Sequence, residues 1–206
     1  GETFLRAEGT AAALHMAWKV SLNLCDHLSG VATKTRAIVD AAHSANSACE
    51  VLTTRKSMPG VKDLLTKAVT CGGAFPHRLG ASETVLVFDH HITFMGGFEA
   101  FLEALPALRG RCVEKKLFVE AGPDEARRLA KAGVDGIQLD KMPVDDLAAL
   151  VPELRAIDPH LTLIAAGGIN LQNAAAYAAT GVDGLATTAP FTAKPIDMSV
   201  RMKRAE

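Results

Sequence analysis

Clustered cysteines and long apolar runs are both missing from this 206-residue sequence. The four cysteines, at positions 25, 49, 71 and 112, form no CxxC pair and no zinc-ligand spacing. This spacing excludes a zinc module and favours reduced thiols in a cytoplasmic protein. No apolar run approaches the ~18 residues of a membrane span, and no secretory signal is visible. The sequence therefore predicts a cytoplasmic protein that has no membrane partner.

A surplus of charge of either sign is missing too. The 22 Lys and Arg residues nearly balance the 23 Asp and Glu residues, which leaves a formal net charge of −1. This balance argues against a nucleic-acid-binding or membrane-binding surface built from bulk charge. What the chain does contain is 49% hydrophobic and 22% charged residues, an ordinary globular composition that excludes disorder and coiled coil.

From residue 48 onward, short apolar runs alternate with helical stretches. Apolar runs separated by helices predict a parallel sheet covered by helices. The predicted strands are Cys49–Thr54, Thr84–Asp89, Lys116–Ala121, Gly136–Asp140, Thr162–Ala166 and Gly184–Thr188. The predicted helices are residues 10–45, with a break or close-packing point at Ser29-Gly30, then Val61–Cys71, Phe98–Leu108, Asp124–Ala132, Val144–Ile157 and Leu171–Thr180.

One phrase recurs: residues 132–136 read Ala-Gly-Val-Asp-Gly, and residues 180–184, 48 positions later, read Thr-Gly-Val-Asp-Gly. In each copy a glycine ends a helix and an apolar strand follows, as expected of a left-handed helix C-terminus. The offset fits two βα units. We therefore predict an α/β fold, an open or incomplete TIM-like barrel of about six parallel strands. It would cover residues 46–192, between N-terminal helices in residues 1–45 and a C-terminal return segment in residues 193–206.

In α/β barrels, reactive groups collect at the carboxyl ends of the strands. Glu120 and Asp140 end consecutive predicted strands, so their carboxylates should lie at one mouth. Two carboxylates there suit a hard cation such as Mg²⁺ or the hydroxyls of a ribose. The alternative interpretation is that each acid caps the following helix.

Gly167 and Gly168, followed by Ile169, precede a predicted helix. Glycines permit a close backbone approach, and free amides at a helix start attract phosphate. Together with the hydroxyls of Thr187 and Thr188, one βα unit later, this turn predicts a phosphate-binding corner.

Cations gather near the end of the first predicted strand. Arg55 and Lys56 follow that strand, and His77 and Arg78 lie in the next polar cluster. Because guanidinium groups pair bidentately with carboxylate and phosphate, this cluster predicts a small anionic substrate. The alternative is ordinary surface charge.

His90 and His91 lie side by side at the end of the second predicted strand. Neighbouring strand residues point to opposite faces, so the pair is poorly placed to bind one metal ion. We expect hydrogen-bonding residues instead.

Several spaced motifs resemble the type II quinolinate phosphoribosyltransferases. They are Thr53–Gly60, Cys71–Gly73, His77–Gly80, and the helix segment Asn23–Gly30 with Ala32-Thr33. Within that superfamily, Ala193–Pro195 and the Thr-Thr-Arg-Lys run are most similar to the ModD branch, which is linked with molybdenum transport and presumed to be a pyrophosphorylase. The resemblance implies that Arg55, His77 and Arg78 hold the carboxylates of the acceptor and that Lys56 contacts phosphoribosyl pyrophosphate (PRPP).

The same resemblance implies that Glu120 and Asp140 hold the ribose hydroxyls and Mg²⁺, and that residues 167–169, Thr187 and Thr188 bind phosphate. In this family, quinolinate and PRPP give nicotinate mononucleotide, pyrophosphate and CO₂. The family's N-terminal α/β sandwich domain lends an arginine to a partner's active site. This implies a homodimer or higher homo-oligomer, with residues 1–45 a remnant of that domain and its connecting helices.

One departure from the family bears on the acceptor. Where the family has a lysine, in an Ile-Lys-x-Asn-His stretch, this chain has Phe88. The expected function is therefore a PRPP-dependent transferase of ModD type that uses a small, aromatic carboxylate. Two alternatives stay open: a true quinolinate phosphoribosyltransferase, and a non-catalytic anion-binding protein on the same barrel.

Overall fold

The computed structural model describes residues 1–80 and 83–204. A long helix, α1 (Ala11–Ala45), is followed by strands that alternate with helices. These elements are β1 (Glu50–Thr53), α2 (Lys62–Cys71), β2 (Phe75–Pro76), β3 (Val85–Val87), α3 (Asp89–Phe94), α4 (Phe98–Arg111), β4 (Leu117–Glu120), α5 (Pro123–Ala132), β5 (Gly136–Asp140), α6 (Val144–Ile157), β6 (Thr162–Ala166), α7 (Ala174–Ala178), β7 (Gly184–Thr187) and the 3₁₀ turn Ala189–Thr192.

All strands belong to one parallel sheet with the order β2-β1-β7-β6-β5-β4-β3. The sheet curls into a half-barrel whose two edges, β2 and β3, follow one another in the chain. The predicted open TIM-like barrel is confirmed. In the described part of the chain, the structure has seven strands where about six were predicted, and the added one is β2, which has only two residues and contains a proline, a residue tolerated at a sheet edge.

The strands bury side chains on both faces, so the barrel has two cores. The outer face packs on the helices through residues such as Ile137, Leu163 and Leu185. The inner face is filled by Leu86, Phe118, Ile164, Ala166 and Ala186, with Leu52 and Phe88 packed against them. Because successive strand residues alternate between faces, the inner set fixes which residues at the strand ends point into the mouth.

The repeated glycine-aspartate phrase has a structural explanation. Gly133 and Gly181 have φ values of 76° and 87°, the left-handed conformation predicted for them. The aspartate of each phrase accepts a hydrogen bond from a backbone amide near the start of a neighbouring strand. Asp135 Oδ2 accepts from Leu117 N at 2.7 Å, and Asp183 Oδ2 accepts from Leu163 N at 2.6 Å. The repeat therefore stabilises the amino end of the barrel, opposite the strand ends that carry the candidate site.

Replacing Asp183 by alanine should lower the free energy of unfolding by about 1.5–3 kcal/mol. The substitution leaves the amide of the buried Leu163 without an acceptor and removes the 2.6 Å ion pair with Arg155. Urea denaturation would measure the loss. The exposed Asp197→Ala is the control and should change stability by less than about 0.5 kcal/mol; equal losses in both variants would contradict this role.

Helix α1 runs without interruption through Ser29-Gly30, so the predicted break is wrong and the close-packing alternative is what the structure shows. A Cβ at Gly30 would lie 2.2 Å from the carbonyl oxygen of Lys194. The return segment is held there by hydrogen bonds from the amides of Ile196 and Met198 to Asp26. Residues 205 and 206 of the predicted segment lie outside the described residues.

All four cysteines are free. Burial, with smaller contributions from Asp183 and Glu50, raises the pKa of the Cys49 thiol to about 12, so that thiol stays protonated. Among the described helices, none is long and apolar enough to cross a membrane.

Candidate active site

The carboxyl ends of the parallel strands meet at one mouth, and the strand register decides which side chains face it. Glu120 lies two residues after Phe118 of the inner core and therefore on the same face of β4. Gln138 pairs with Glu120 across the strands, and Asp140, two residues after Gln138, lies on that same inner face. Phe75 of β2 pairs with the inner residue Leu52, which places His77, two residues later, on the same inner face.

A chain of hydrogen bonds crosses this mouth. Gln138, only 7% exposed, donates from Nε2 to Glu120 Oε2 at 2.6 Å. Its Oε1 lies 3.0 Å from His77 Nε2. The structure therefore brings a predicted acceptor-binding residue and a predicted ribose-binding carboxylate together through a glutamine that is not among the predicted site residues.

The cationic side of the mouth is formed by Arg55 and Arg78. Burial first, and then the charges of Arg78 and Arg55, lower the pKa of His77, while its hydrogen bond to Gln138 acts in the opposite direction. Burial, followed by repulsion from Arg55, also lowers the pKa of Arg78, against the attraction of Glu83. Burial and repulsion from the two arginines therefore both favour the neutral form of the His77 imidazole.

Arg78 also contacts the aromatic wall of the mouth. Its guanidinium carbon lies 5.9 Å from the centre of the Phe88 ring, and its buried Nε has no hydrogen-bond partner among the described residues. An arginine held this way keeps its charge and has donors left for an incoming anion.

The anionic side is close-packed around Gly167. A Cβ on this glycine would lie 2.8 Å from Asp140 Oδ1 and 2.7 Å from the backbone nitrogen of Lys141. Lys141 is the one non-glycine residue with positive φ, 55°, in the part of the chain that the structure describes. Its exposed Nζ lies 3.8 Å from Asp140 Oδ2, which adds an unforeseen cation to the acidic side.

The turn at Gly167-Gly168 has the shape expected of a phosphate cradle. Both glycines have positive φ, 85° and 72°. The Gly168 carbonyl accepts hydrogen bonds from the side-chain amides of Asn170 and Asn173, which fix the turn. Within residues 1–80 and 83–204, the amides of Gly168 and Ile169 donate to no protein acceptor, so they remain available to an anion.

The other residues predicted to bind phosphate or PRPP do not all face the mouth. Thr187 is buried on the outer face, where its hydroxyl donates to the Ile169 carbonyl at 2.6 Å and accepts from the Ala189 amide at 3.0 Å. It thus supports the glycine turn from behind. Thr188 is half-buried at the mouth, and Lys56 is exposed beyond β1.

The two neighbouring histidines lie in helix α3, not at a strand end as predicted. His91 Nδ1 accepts a hydrogen bond from the Phe88 amide at 3.0 Å, which confirms the hydrogen-bonding interpretation for that residue. The His90 ring stacks on Phe88 at 5.8 Å between centres.

Among the described residues, neither acid caps a helix. The amide of Gly122, just before α5, donates to Glu125 Oε2 at 3.4 Å, and α6 begins after Pro143 without a side-chain cap. The carboxylates of Glu120 and Asp140 are therefore available to bind a ligand. Because Mg²⁺ is usually held by one or two carboxylates together with substrate phosphates, a carboxylate pair beside a phosphate turn fits this ion.

The sequence does contain a signal for Gln138. Gly136, Gln138 and Asp140 alternate along an otherwise apolar strand, and a polar side chain at an inward position demands a buried partner. Lys141 carries no comparable signal, since nothing in its neighbours predicts a positive φ.

The lowered pKa of His77 predicts a stability effect of definite sign. The unfolded chain binds a proton near the ordinary pKa of 6.5 while the folded protein resists it, so the unfolding free energy should fall as pH drops below about 6.5. In His77→Gln, which keeps an amide donor towards Gln138, this part of the decline should disappear.

Urea denaturation midpoints between pH 7.5 and 5.5 would measure that slope. The exposed His160→Gln, at the amino end of the barrel, is the control. A His77→Gln slope as steep as that of the control would contradict the assignment.

Comparison with known proteins identifies the family. The model of the quinolinate phosphoribosyl transferase C-terminal domain matches residues 31–201. A ModD protein of Rhodobacter capsulatus, named as a pyrophosphorylase, is 44% identical over 176 residues, which are 85% of this chain and 67% of that protein. The nicotinate-nucleotide pyrophosphorylase (carboxylating) of Mycobacterium leprae is 35% identical over 190 residues, 92% of this chain and 65% of that protein.

Solved structures agree with these matches. The nicotinate-nucleotide pyrophosphorylase of Francisella tularensis superposes with a TM-score of 0.81 at 30% identity and NadC of Streptococcus pyogenes with 0.82 at 27%, over 92% and 94% of this chain. The chain spans 65% and 66% of those two structures. An open barrel with this mouth, a family model that matches most of the sequence, and relatives of more than 30% identity together show that the chain belongs to the quinolinate phosphoribosyl transferase family.

Proposed function

We propose that this protein is a PRPP-dependent phosphoribosyltransferase of ModD type that acts on a small, aromatic carboxylate. The observation that carries the proposal is the chain from His77 through Gln138 to Glu120. It joins a cationic half, suited to an anionic acceptor, to a carboxylate suited to a ribose, at one mouth. A transferase needs both substrates side by side.

Each half has a distinct task in this proposal. Arg55 and Arg78 pair with the acceptor carboxylate, and neutral His77 lines the same half without adding charge. Glu120 and Asp140 hold the ribose hydroxyls and place negative charge near the positive charge that develops on the sugar as pyrophosphate leaves. The amides of Gly168 and Ile169 receive phosphate, with Thr188 beside them and Thr187 supporting the turn; Lys56 contacts PRPP from the β1 side.

Glu120 and Asp140 would also hold Mg²⁺, which supplies charge neutralisation for the pyrophosphate group. Glu120 has one oxygen, Oε1, outside its bond to Gln138 for this purpose. In this proposal the protein is a cytoplasmic homodimer, as the resemblance of its motifs to the family implies.

A second candidate within the family is quinolinate itself as acceptor, because the relative from Mycobacterium leprae is named a nicotinate-nucleotide pyrophosphorylase (carboxylating). Phe88 favours the first candidate. An aromatic ring at the inner face of β3 gives the mouth a wall for a planar ring and no charge for a second carboxylate.

Calorimetric titration of PRPP in the presence of Mg²⁺, followed by pyrophosphate release with a panel of acceptors, tests the proposal. The panel is quinolinate, nicotinate, phthalate and benzoate. We expect PRPP binding and release with an aromatic carboxylate, and poor use of quinolinate. Full turnover of quinolinate to nicotinate mononucleotide would favour the second candidate, and binding of the acids without any PRPP would leave a non-catalytic anion-binding protein.

A further inference from the structure

Gln138 lies where the two halves of the mouth meet. It is one of four buried polar residues in the described chain, and both ends of its side chain are used across strands. Its side chain lies on the inner face of β5, where burial and the two hydrogen bonds leave it little room to move. A residue buried this way determines the orientation of whatever it contacts.

The chemistry of the contacts fixes the orientation of the amide. A carboxylate accepts hydrogen bonds and has no proton to give, so the group 2.6 Å from Glu120 must be the NH₂ of Gln138. Its oxygen therefore faces His77, 3.0 Å away. A carbonyl oxygen only accepts, so His77 must carry its proton on Nε2.

The neighbouring charges fix the protonation state of the same ring. Burial and the cations Arg78 and Arg55 disfavour a charged imidazole. His77 is then neutral with Nε2–H, and Nδ1 is left with a lone pair. Among the described residues, none bonds to Nδ1, so this nitrogen offers a hydrogen-bond acceptor to a bound molecule.

We propose that Gln138 is a positioning residue that locks His77 in the neutral Nε2–H tautomer and holds the Glu120 carboxylate at the ribose side. It acts through these two residues and does not touch the substrate. An acceptor bound by Arg55 and Arg78 then meets the Nδ1 lone pair of His77, which favours a carboxylic acid that carries a hydrogen-bond donor over one that lacks it.

The effect of this lock on turnover rests on the proposed function, whereas its effect on the His77 ring does not. Long-range ¹H–¹⁵N correlation spectra of the histidine rings distinguish the two neutral tautomers and the charged form. The His77 signals are assigned by their loss in His77→Gln. In the wild-type protein we expect one Nε2–H tautomer at pH 7.

Two variants probe the lock. Gln138→Met, of similar volume, should give a mixture of tautomers and a kcat about 10–100-fold lower, with a smaller change in the KM for PRPP. Gln138→Glu adds a negative charge beside His77 and should raise its pKa by about one unit or more. Gln172→Met, on the exposed surface, is the control for the spectra and should leave the His77 signals unchanged.

A wild-type Nδ1–H tautomer, or an unchanged tautomer and kcat in Gln138→Met, would overturn the proposal. If Gln138→Met fails to fold, the wild-type spectrum and the pKa of His77 in Gln138→Glu still decide it. If the spectra agree but no carboxylate releases pyrophosphate, the lock stands and the proposed function fails, so the two failures are separate.

Discussion

Replacing Glu120 by glutamine should lower the rate of pyrophosphate release by about 10²–10³-fold. The change keeps the size of the side chain and an oxygen for the Nε2 of Gln138, so the hydrogen-bonded chain across the mouth survives. In the proposed reaction, it removes one negative charge from the place where positive charge would develop on the ribose. The dissociation constant of PRPP should rise by only about tenfold, because that charge acts mainly in the transition state.

Steady-state kinetics with the best acceptor of the panel, together with calorimetry of PRPP binding, would measure both effects. The control is Glu114→Gln, which removes the same charge from an exposed loop at the amino end of the barrel. Similar losses in both variants would point to net charge rather than to position. A Glu120→Gln enzyme with wild-type kcat would remove Glu120 from the chemistry.

The barrel could be predicted because its signals are local. Each of the six longer strands is an apolar run, and each copy of the repeated glycine phrase requires a left-handed residue that the structure contains at Gly133 and Gly181. Strand β2 could not be predicted in this way. Phe75 and Pro76 form a strand only because β1 offers them a free edge, which is a property of the assembled sheet.

The residues of the candidate site also differ in whether local sequence predicts them. Glu120, Asp140 and the glycine turn follow from a rule about strand ends, which needs only the order of the elements. Gln138 depends on a pairing between residues 18 positions apart and on a histidine 61 positions away, so its partners become visible only when the strands are in register. The outward direction of Thr187 also follows from the alternation of side chains along β7. Thr187 faces the helices, and the next residue, Thr188, lies at the mouth.

Replacing Gly167 by alanine should lower the free energy of unfolding by about 2–4 kcal/mol and weaken PRPP binding at least about tenfold. Part of the cost is the left-handed backbone, since φ is 85°. The rest is steric, because the new Cβ would lie 2.7 Å from the Lys141 nitrogen, which is itself held by a 2.8 Å hydrogen bond to the Ala166 carbonyl. The backbone cannot yield easily, so Asp140 has to turn away from the mouth.

Gly181→Ala separates the two contributions. Its φ is 87°, nearly the same, but the nearest atom to a new Cβ is Val151 Cγ1 at 3.5 Å, an ordinary contact at the amino end of the barrel. This variant should lose only about 1–2 kcal/mol and bind PRPP normally. If urea denaturation and calorimetry show equal stability losses and unchanged PRPP binding in both variants, then the packing of Gly167 against Asp140 does not shape the ribose side. If only Gly167→Ala loses binding, the orientation of Asp140 is set by the glycine that follows the neighbouring strand β6, and the acidic half of the mouth is pre-organised by the Gly167-Gly168 turn beside it.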